Sequence, residues 1–513
     1  MTTAAVHTEP IRAPFPLRLG TSDEAFATAR RALEDAGFTE SGVCGRASAP
    51  SMYEFRRLSE GRARGDARDA LDALIHLFLD TEPLDDAGAR AAMPEPLLAS
   101  LAALGLVERG GDGAWRATAL LYPTQGLFIA SDLDHPAVPG GFVAEDAVYP
   151  AITSNTATFL EGLPRTRCER FLEMCGGTGI AALANAGLAA EAWTADITER
   201  ATRFAEFNAR LNGLGNVRAV CGDLWEPVRG RTFDRIVAHP PYVAEPERML
   251  IFRDGGPDGE LITRGLLAGL PEVLEPGGRF YCTCIATDRT DAPLERRLRT
   301  MIGEREAEFD IVLLERTGFH PSEYYCRLAA WGKIPFAEAE QRHLAYRALG
   351  VERMVYCTFV VQRHAHARAP FTLRKRAGAA RVREGDAIEW LLAWETANAE
   401  RDLTPALLDA RPIAAPGVLL RTEQHLFEGA FRVHGCALRT ETPFLETTDC
   451  SLDAAAFLAR CDGTLTLREH AERLAGEGLV NAGDPEALGA LTSLVRGLVG
   501  AGCVDLDIFR APR

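Results

Sequence analysis

Apolar positions along the chain follow two different rhythms. Up to about residue 104 they recur at helical spacing, which predicts helices over 23–35, 66–79, 85–92 and 96–104. Thr21-Ser22-Asp23 caps the first of these and Gly37 stops it, while Leu71, Leu74, Ile75 and Phe78 line one face of the second. Pro10, Pro14 and Pro16 make the lead-in over 1–20 irregular. The glycine-rich stretch 105–118 then reads as a hairpin, so the region has a winged-helix-like order of short helices and a wing.

From about residue 166 short apolar runs alternate with helical stretches. The runs fall at 170–173, 191–195, 217–221, 233–238, 279–285, 309–314 and 354–361, and the helices at 178–186, 198–212 and 259–274. Such alternation predicts an α/β region with a parallel sheet covered on both faces. The segment 318–350, carrying Tyr324, Tyr325, Trp331 and Pro335, separates the last two runs as an insertion. Beyond 370 come a helix over 386–399, whose Trp390 and Trp394 are expected in a core, and strand-like pieces at 417–421 and 430–438. Helices at 451–460, 466–476 and 485–501 and a last strand at 503–506 give a second winged-helix-like unit. Three domains are expected: 1–120, 121–368 and 369–513.

Composition adds mainly exclusions. The chain has 513 residues, 47% of them hydrophobic and 25% charged, which excludes a mainly disordered or fibrous protein. No apolar run reaches the roughly 20 residues a membrane span needs. The first thirty residues show no basic start followed by an apolar block, so a cytoplasmic protein with reduced thiols is expected. A net charge of −16 argues against general polyanion binding. The helix over 96–104 carries no Arg or Lys, so nucleic acid is not expected as a partner. The one dense basic stretch, Arg374-Lys375-Arg376 with Arg381 and Arg383, reads as a solvated linker face. Cys282-Thr283-Cys284 has no second Cys/His pair at zinc-ligand spacing, and no metal site is read.

The chemistry gathers at the ends of the predicted strands. In Phe171-Leu172-Glu173-Met174-Cys175-Gly176-Gly177-Thr178-Gly179 an apolar strand ends in an acid and runs through a glycine-rich turn into a helix. Small residues let a ligand approach the backbone, and the helix start offers free N–H donors. Asp196, followed by Ile197, ends the next strand at the spacing of an acid that bonds ribose hydroxyls. Asp223 and Leu224 end the third, an acid suited to an adenine amino group. After the fourth comes His239-Pro240-Pro241-Tyr242, where two prolines fix the backbone beside the reactive side chains.

These motifs resemble class I S-adenosylmethionine-dependent methyltransferases, in particular the HemK-like group with an Asn-Pro-Pro-Tyr turn. The resemblance extends to Phe252-Arg253-Asp254-Gly255-Gly256-Pro257-Asp258-Gly259 and to Leu274-Glu275-Pro276-Gly277-Gly278, and covers about 120–365. It implies a Rossmann-like seven-stranded methyltransferase sheet with S-adenosylmethionine as cofactor. Glu173, Cys175, Gly176, Gly177, Gly179, Asp196, Ile197, Asp223, Leu224 and His239 are then the cofactor-binding candidates. His239, Pro240, Pro241 and Tyr242 face the substrate, with His239 and Tyr242 as catalytic candidates. Ser154-Asn155-Thr156 stands where this fold closes over the cofactor carboxylate, and the Tyr324-Tyr325 insertion is a lid candidate. Two positions depart from the pattern: Cys175 replaces a glycine and His239 replaces the asparagine, so the group's substrate is not carried over. The expected activity is methyl transfer to nitrogen or oxygen of a small molecule or protein side chain, with His239 as proton acceptor or positioning group. A homodimer through the terminal domains is left open. The alternatives are an S-adenosylmethionine-sensing regulatory protein and an NAD(P)-dependent oxidoreductase.

Overall fold

The apolar runs of the central region pair into one sheet of eight strands. The computed structural model describes residues 14–54, 66–133, 145–245, 250–378, 382–477 and 485–512. The sheet's strands are β1 (Cys168–Met174), β2 (Ala189–Asp196), β3 (Val217–Cys221), β4 (Phe233–Ala238), β5 (Leu274–Arg289), β6 (Phe309–Phe319), β7 (Val351–Arg363) and β8 (Thr372–Arg376). Their spatial order is β8-β6-β7-β5-β4-β1-β2-β3. Only β7 runs against its neighbours. Register brings four strand ends to one level: Met174 lies opposite both Ala195 and Ala238, and Asp196 opposite Cys221.

Side chains alternate across this sheet with period two, so neighbouring residues serve different cores. Phe171, Val237 and Tyr281 pack on one face with Phe204 and Phe207 of the Glu199–Leu211 helix and Leu391 of the Glu384–Glu400 helix. Leu172, Ile236 and Phe280 pack on the other with Leu266 and Leu270 of Leu261–Val273 and Leu298 of Leu294–Ile302. The insertion forms two helices, Pro321–Ala330 and Phe336–Ala348, whose Tyr325, Ala329 and Tyr346 close over Met354 at the start of β7.

The expected seven strands are therefore corrected to eight. The eighth is the dense basic stretch itself, which pairs in parallel with β6 instead of facing solvent as a linker. Its basic residues have partners: Arg374 reaches Asp288 at 2.9 Å, Glu315 at 2.7 Å and Glu295 at 3.2 Å, and Lys375 reaches Glu446 at 3.2 Å. Acids placed on β5 and β6 thus make a strand from residues that a polarity pattern assigns to solvent. Arg381 lies outside the described residues, as does the lead-in before residue 14.

The N-terminal region is fastened to the sheet by polar side chains. Helix Asp23–Asp35 lies on Glu199–Leu211, with Phe26 edge-on to Phe207 at 5.1 Å. A hairpin of Leu120–Thr124 and Leu127–Ser131 leaves one strand edge open, and carboxamides of that helix fill it. Asn208 accepts from Ala130 N–H at 2.7 Å and donates to its carbonyl at 3.0 Å, and Asn212 treats Phe128 alike at 2.9 and 2.7 Å. Asp132 follows in a buried pair with Arg200, which also reaches the Pro14 carbonyl at 3.0 Å. In the C-terminal region Trp390 and Trp394 are buried against Phe509, as expected of core residues.

Arg374→Ala should lower the unfolding free energy by about 2–4 kcal/mol, because it strands partly buried carboxylates. Arg376→Ala, at an exposed side chain of the same strand, should leave it within about 0.5 kcal/mol. Urea denaturation checks both, and equal effects would restore the linker reading.

Candidate active site

The turn after β1 is shaped by two close approaches. A Cβ at Gly176 would stand 2.0 Å from Thr194 Oγ1, so β2 admits only glycine there. Cys175 precedes it at φ 56° and Gly177 follows at φ 55°, with open space around the position a Gly177 side chain would take. A non-glycine residue in this left-handed region costs roughly 1–2 kcal/mol, which the Cys175 backbone accepts without losing the turn.

Two acids hold the turn from below. Glu173 is buried, and its carboxylate accepts from Ala181 and Ala182 N–H, each at 3.0 Å, at the start of helix Ile180–Asn185. Burial pushes its carboxyl up to about 7 against the opposing pull of those N–H groups. Asp196 accepts from Gly177 N–H at 3.0 Å and from Thr198 N–H and Oγ1 at 3.0 and 3.1 Å. Burial raises it as well, opposed by the same donors. One carboxylate therefore fixes both the turn after β1 and the helix start after β2.

The segment after β4 is clamped by the glycine-rich stretch. Val243 N–H bonds Arg253 O at 3.0 Å, and Gly255 N–H bonds Val243 O at 2.8 Å. A Cβ at Gly259 would meet Tyr242 O at 2.6 Å, so this stretch can lie against the His-Pro-Pro-Tyr backbone only as glycine. His239 sits between aromatic rings, stacked on Phe159 at 5.3 Å and tilted to Tyr242 at 5.9 Å. Burial, aided by the Arg316 charge, pushes its imidazole down to about 4. The ring is neutral at physiological pH. The Tyr242 hydroxyl accepts from Asn155 Nδ2 at 3.0 Å, and burial raises it above the usual phenol range.

These elements enclose one cavity of about 700 Å³ at the sheet's C-terminal edge. Glu173, Cys175, Gly176, Gly177, Asp196, Ile197, Asp223, Leu224, His239, Pro240, Pro241 and Tyr242 all line it. Gly179, between the lining residues Thr178 and Ile180, has φ 79° and packs against Ala205, where a Cβ would sit at 3.0 Å. Asn155 and Tyr324 line the cavity too, in keeping with the 154–156 segment and the insertion being near the site. Phe159, Phe319, Tyr356 and the stacked pair Tyr149–Phe252, at 5.4 Å, carry no strand-end signal in the sequence, and they complete its walls together with Ile285, which ends the fifth predicted run. Among the described residues no group of three or more metal-ligating side chains occurs.

A family model described as methyltransferase small domain matches residues 142–311, the stretch that supplies most of this cavity. Over that stretch the chain is similar to the methyltransferase small domain. The release factor glutamine methyltransferase of Moorella thermoacetica is 37% identical over 129 residues, covering 22% of this chain and 44% of that protein. The ribosomal protein uL3 glutamine methyltransferase of Bradyrhizobium diazoefficiens is 35% identical over 133 residues, covering 23% and 41%. The chain thus spans less than half the length of these curated relatives. A solved S-adenosylmethionine-dependent methyltransferase from Thiobacillus denitrificans shares 16% identity over 41% of this chain and 91% of its own, at a TM-score of 0.25. A model for a domain of unknown function, DUF7059, matches residues 55–118.

Gly176→Ala should cost about 1–3 kcal/mol, since the methyl meets a packed β2 side chain. Gly177→Ala meets open space and should cost about 1–2 kcal/mol through its backbone alone. Chemical denaturation compares the two, and an unchanged midpoint for Gly176→Ala would contradict the described packing.

Proposed function

We propose that this protein is an S-adenosylmethionine-dependent methyltransferase acting on a nitrogen or oxygen of a protein side chain or small molecule. The observation that carries the reading is the single cavity joining the glycine turn, the acids at three strand ends and the His-Pro-Pro-Tyr turn. The two relatives named for protein substrates favour a protein acceptor, encountered in the cytoplasm. The residues fit the cofactor: the backbone around Gly177 is open to a ligand, Asp196 and Asp223 offer acceptors for ribose and adenine, and Cys175, Ile197 and Leu224 supply apolar walls. S-adenosylmethionine brings an already activated methyl group, so the protein's task is alignment and exclusion of water.

The chain's own residues suit that task. Pro240 and Pro241 fix the backbone, and Tyr242 borders the acceptor with its hydroxyl tied to Asn155. His239 is a poor proton acceptor at neutral pH, because a general base works best with a pKa near the operating pH. We assign it to orienting the acceptor, which refines the base-or-positioning choice left by the sequence. The winged-helix-like terminal regions, and a homodimer through them, belong to the same proposal as candidate docking elements for the acceptor.

Calorimetric titration should show S-adenosylmethionine binding to the wild-type protein, and none to Asp196→Ala that still melts cooperatively. No binding by wild type at millimolar cofactor would end the proposal.

With an acceptor found by radioactive methyl labelling of cell extract, His239→Ala should lower turnover by about 10²-fold through misplacement, with cofactor affinity unchanged. His239→Asn should retain most activity. His239 protonates near pH 4, so the wild-type rate should show no loss from this group between pH 6 and 8. An acid limb near pH 6.5 that the Asn variant removes would return His239 to general-base duty.

A further inference from the structure

Arg316 stands at an irregularity of the sheet. The β6–β7 register runs Glu315 opposite Cys357 and then Thr317 opposite Tyr356, so Arg316 is the extra residue of a β-bulge. Bulges free a side chain from the alternation of the ladder and re-aim it, often beside a site. Here the guanidinium turns to Glu384 at the start of the Glu384–Glu400 helix, to Thr358 Oγ1 at 2.9 Å and to the Thr158 carbonyl at 3.3 Å. It also lies 5.4 Å from the centre of the Tyr356 ring. Thr158 immediately precedes Phe159, the ring stacked on His239, and Tyr356 lines the cavity with both.

Two polar atoms in this neighbourhood, Arg316 Nη1 and His239 Nε2, are sealed from solvent with no hydrogen-bond partner among the described residues, and the Tyr356 hydroxyl beside Arg316 is in reach of the Thr158 side chain. A cation, a hydroxyl and an imidazole edge are complementary, since the first can only donate and a bare ring nitrogen can accept. Buried polar atoms that make no direct bond are commonly joined through ordered water. With Nε2 sealed, His239 meets the cavity through its other nitrogen.

Resting on the methyltransferase reading above, we propose that Arg316, held by Glu384, is a positioning residue that supplies the donor to His239 Nε2 through a water shared with Tyr356. His239 is then fixed as the Nδ1–H tautomer and presents a hydrogen-bond donor to the acceptor molecule. The substrate it orients carries a lone-pair atom, a carbonyl, ether or ring nitrogen, beside the atom that is methylated. The proton of the methylated atom does not pass to His239. The depressed imidazole agrees with a cation on its far side. The C-terminal region enters the site through Glu384.

The test uses the full-length protein with selectively ¹⁵N-labelled histidine, the His239 signals being assigned by their loss in His239→Asn. The Nδ1–H tautomer should exceed the Nε2–H form by at least about tenfold, the preference expected for pairing a buried atom. Arg316→Met should abolish that preference, Arg316→Lys should restore most of it, and Tyr356→Phe should weaken it without removing charge. A dominant Nε2–H form in wild type, or a tautomer ratio unmoved by Arg316→Met in a folded protein, overturns the inference. Should Arg316→Met fail to fold, Tyr356→Phe and Arg316→Lys decide in the same way. Calorimetry with S-adenosylmethionine on the same samples separates the two readings: lost binding in wild type counts against the methyltransferase reading alone, and an altered tautomer with retained binding supports the inference.

Discussion

Parallel pairing of β1 with β4 places Met174 beside Ala238, and from there the two chains leave toward opposite faces of the sheet. No connection crosses above the two ends, so a crevice must open there, at the point where the strand order reverses. Every residue of the site answers to that constraint. The glycine turn and Asp196 form one side, and the His-Pro-Pro-Tyr turn forms the other. The glycine-rich stretch from Arg253 to Gly259 closes the second side by lying on its backbone.

The polar groups around the crevice share their work economically. Asp196 is at once a lining residue and the anchor of the Gly177 and Thr198 backbones. Glu173, by contrast, spends both oxygens on a helix start, and its burial is tolerable because two N–H groups face it. An ionised group needs such partners in a low-dielectric setting, whereas His239 reaches the same end by staying neutral. The site therefore combines a cofactor end rich in acids with an acceptor end built from neutral rings.

Strands β1 to β4 and their turns were legible in the sequence because each is a short apolar run ended by glycine, proline or an acid. The lining positions at those ends followed from register alone. Strand β8 was not legible, since Arg374 and Lys375 look solvated until Asp288, Glu315 and Glu446 are known to face them. The contact of Gly179 with Ala205 was not legible either, because it depends on a helix position that no local pattern gives. Tyr149 and Phe252 line the cavity from loops and Phe159 from the short helix Ser154–Glu161, none of which ends a predicted strand. Arg316 was hidden for a subtler reason: one extra residue in a strand reverses the inside–outside reading of its neighbours.

The buried pair of Asp132 and Arg200 has a consequence in time. Asp132 is synthesised 68 residues before its partner. At about 5–20 residues per second that is a delay of roughly 3–14 s. Phe26 and the open edge at Phe128–Ala130 wait for the same helix. The segment that carries Phe26 and Asp132 is thus made before the surface that receives it, and its apolar side chains stay uncovered meanwhile. For these contacts the order of synthesis sets the earliest time at which they can close.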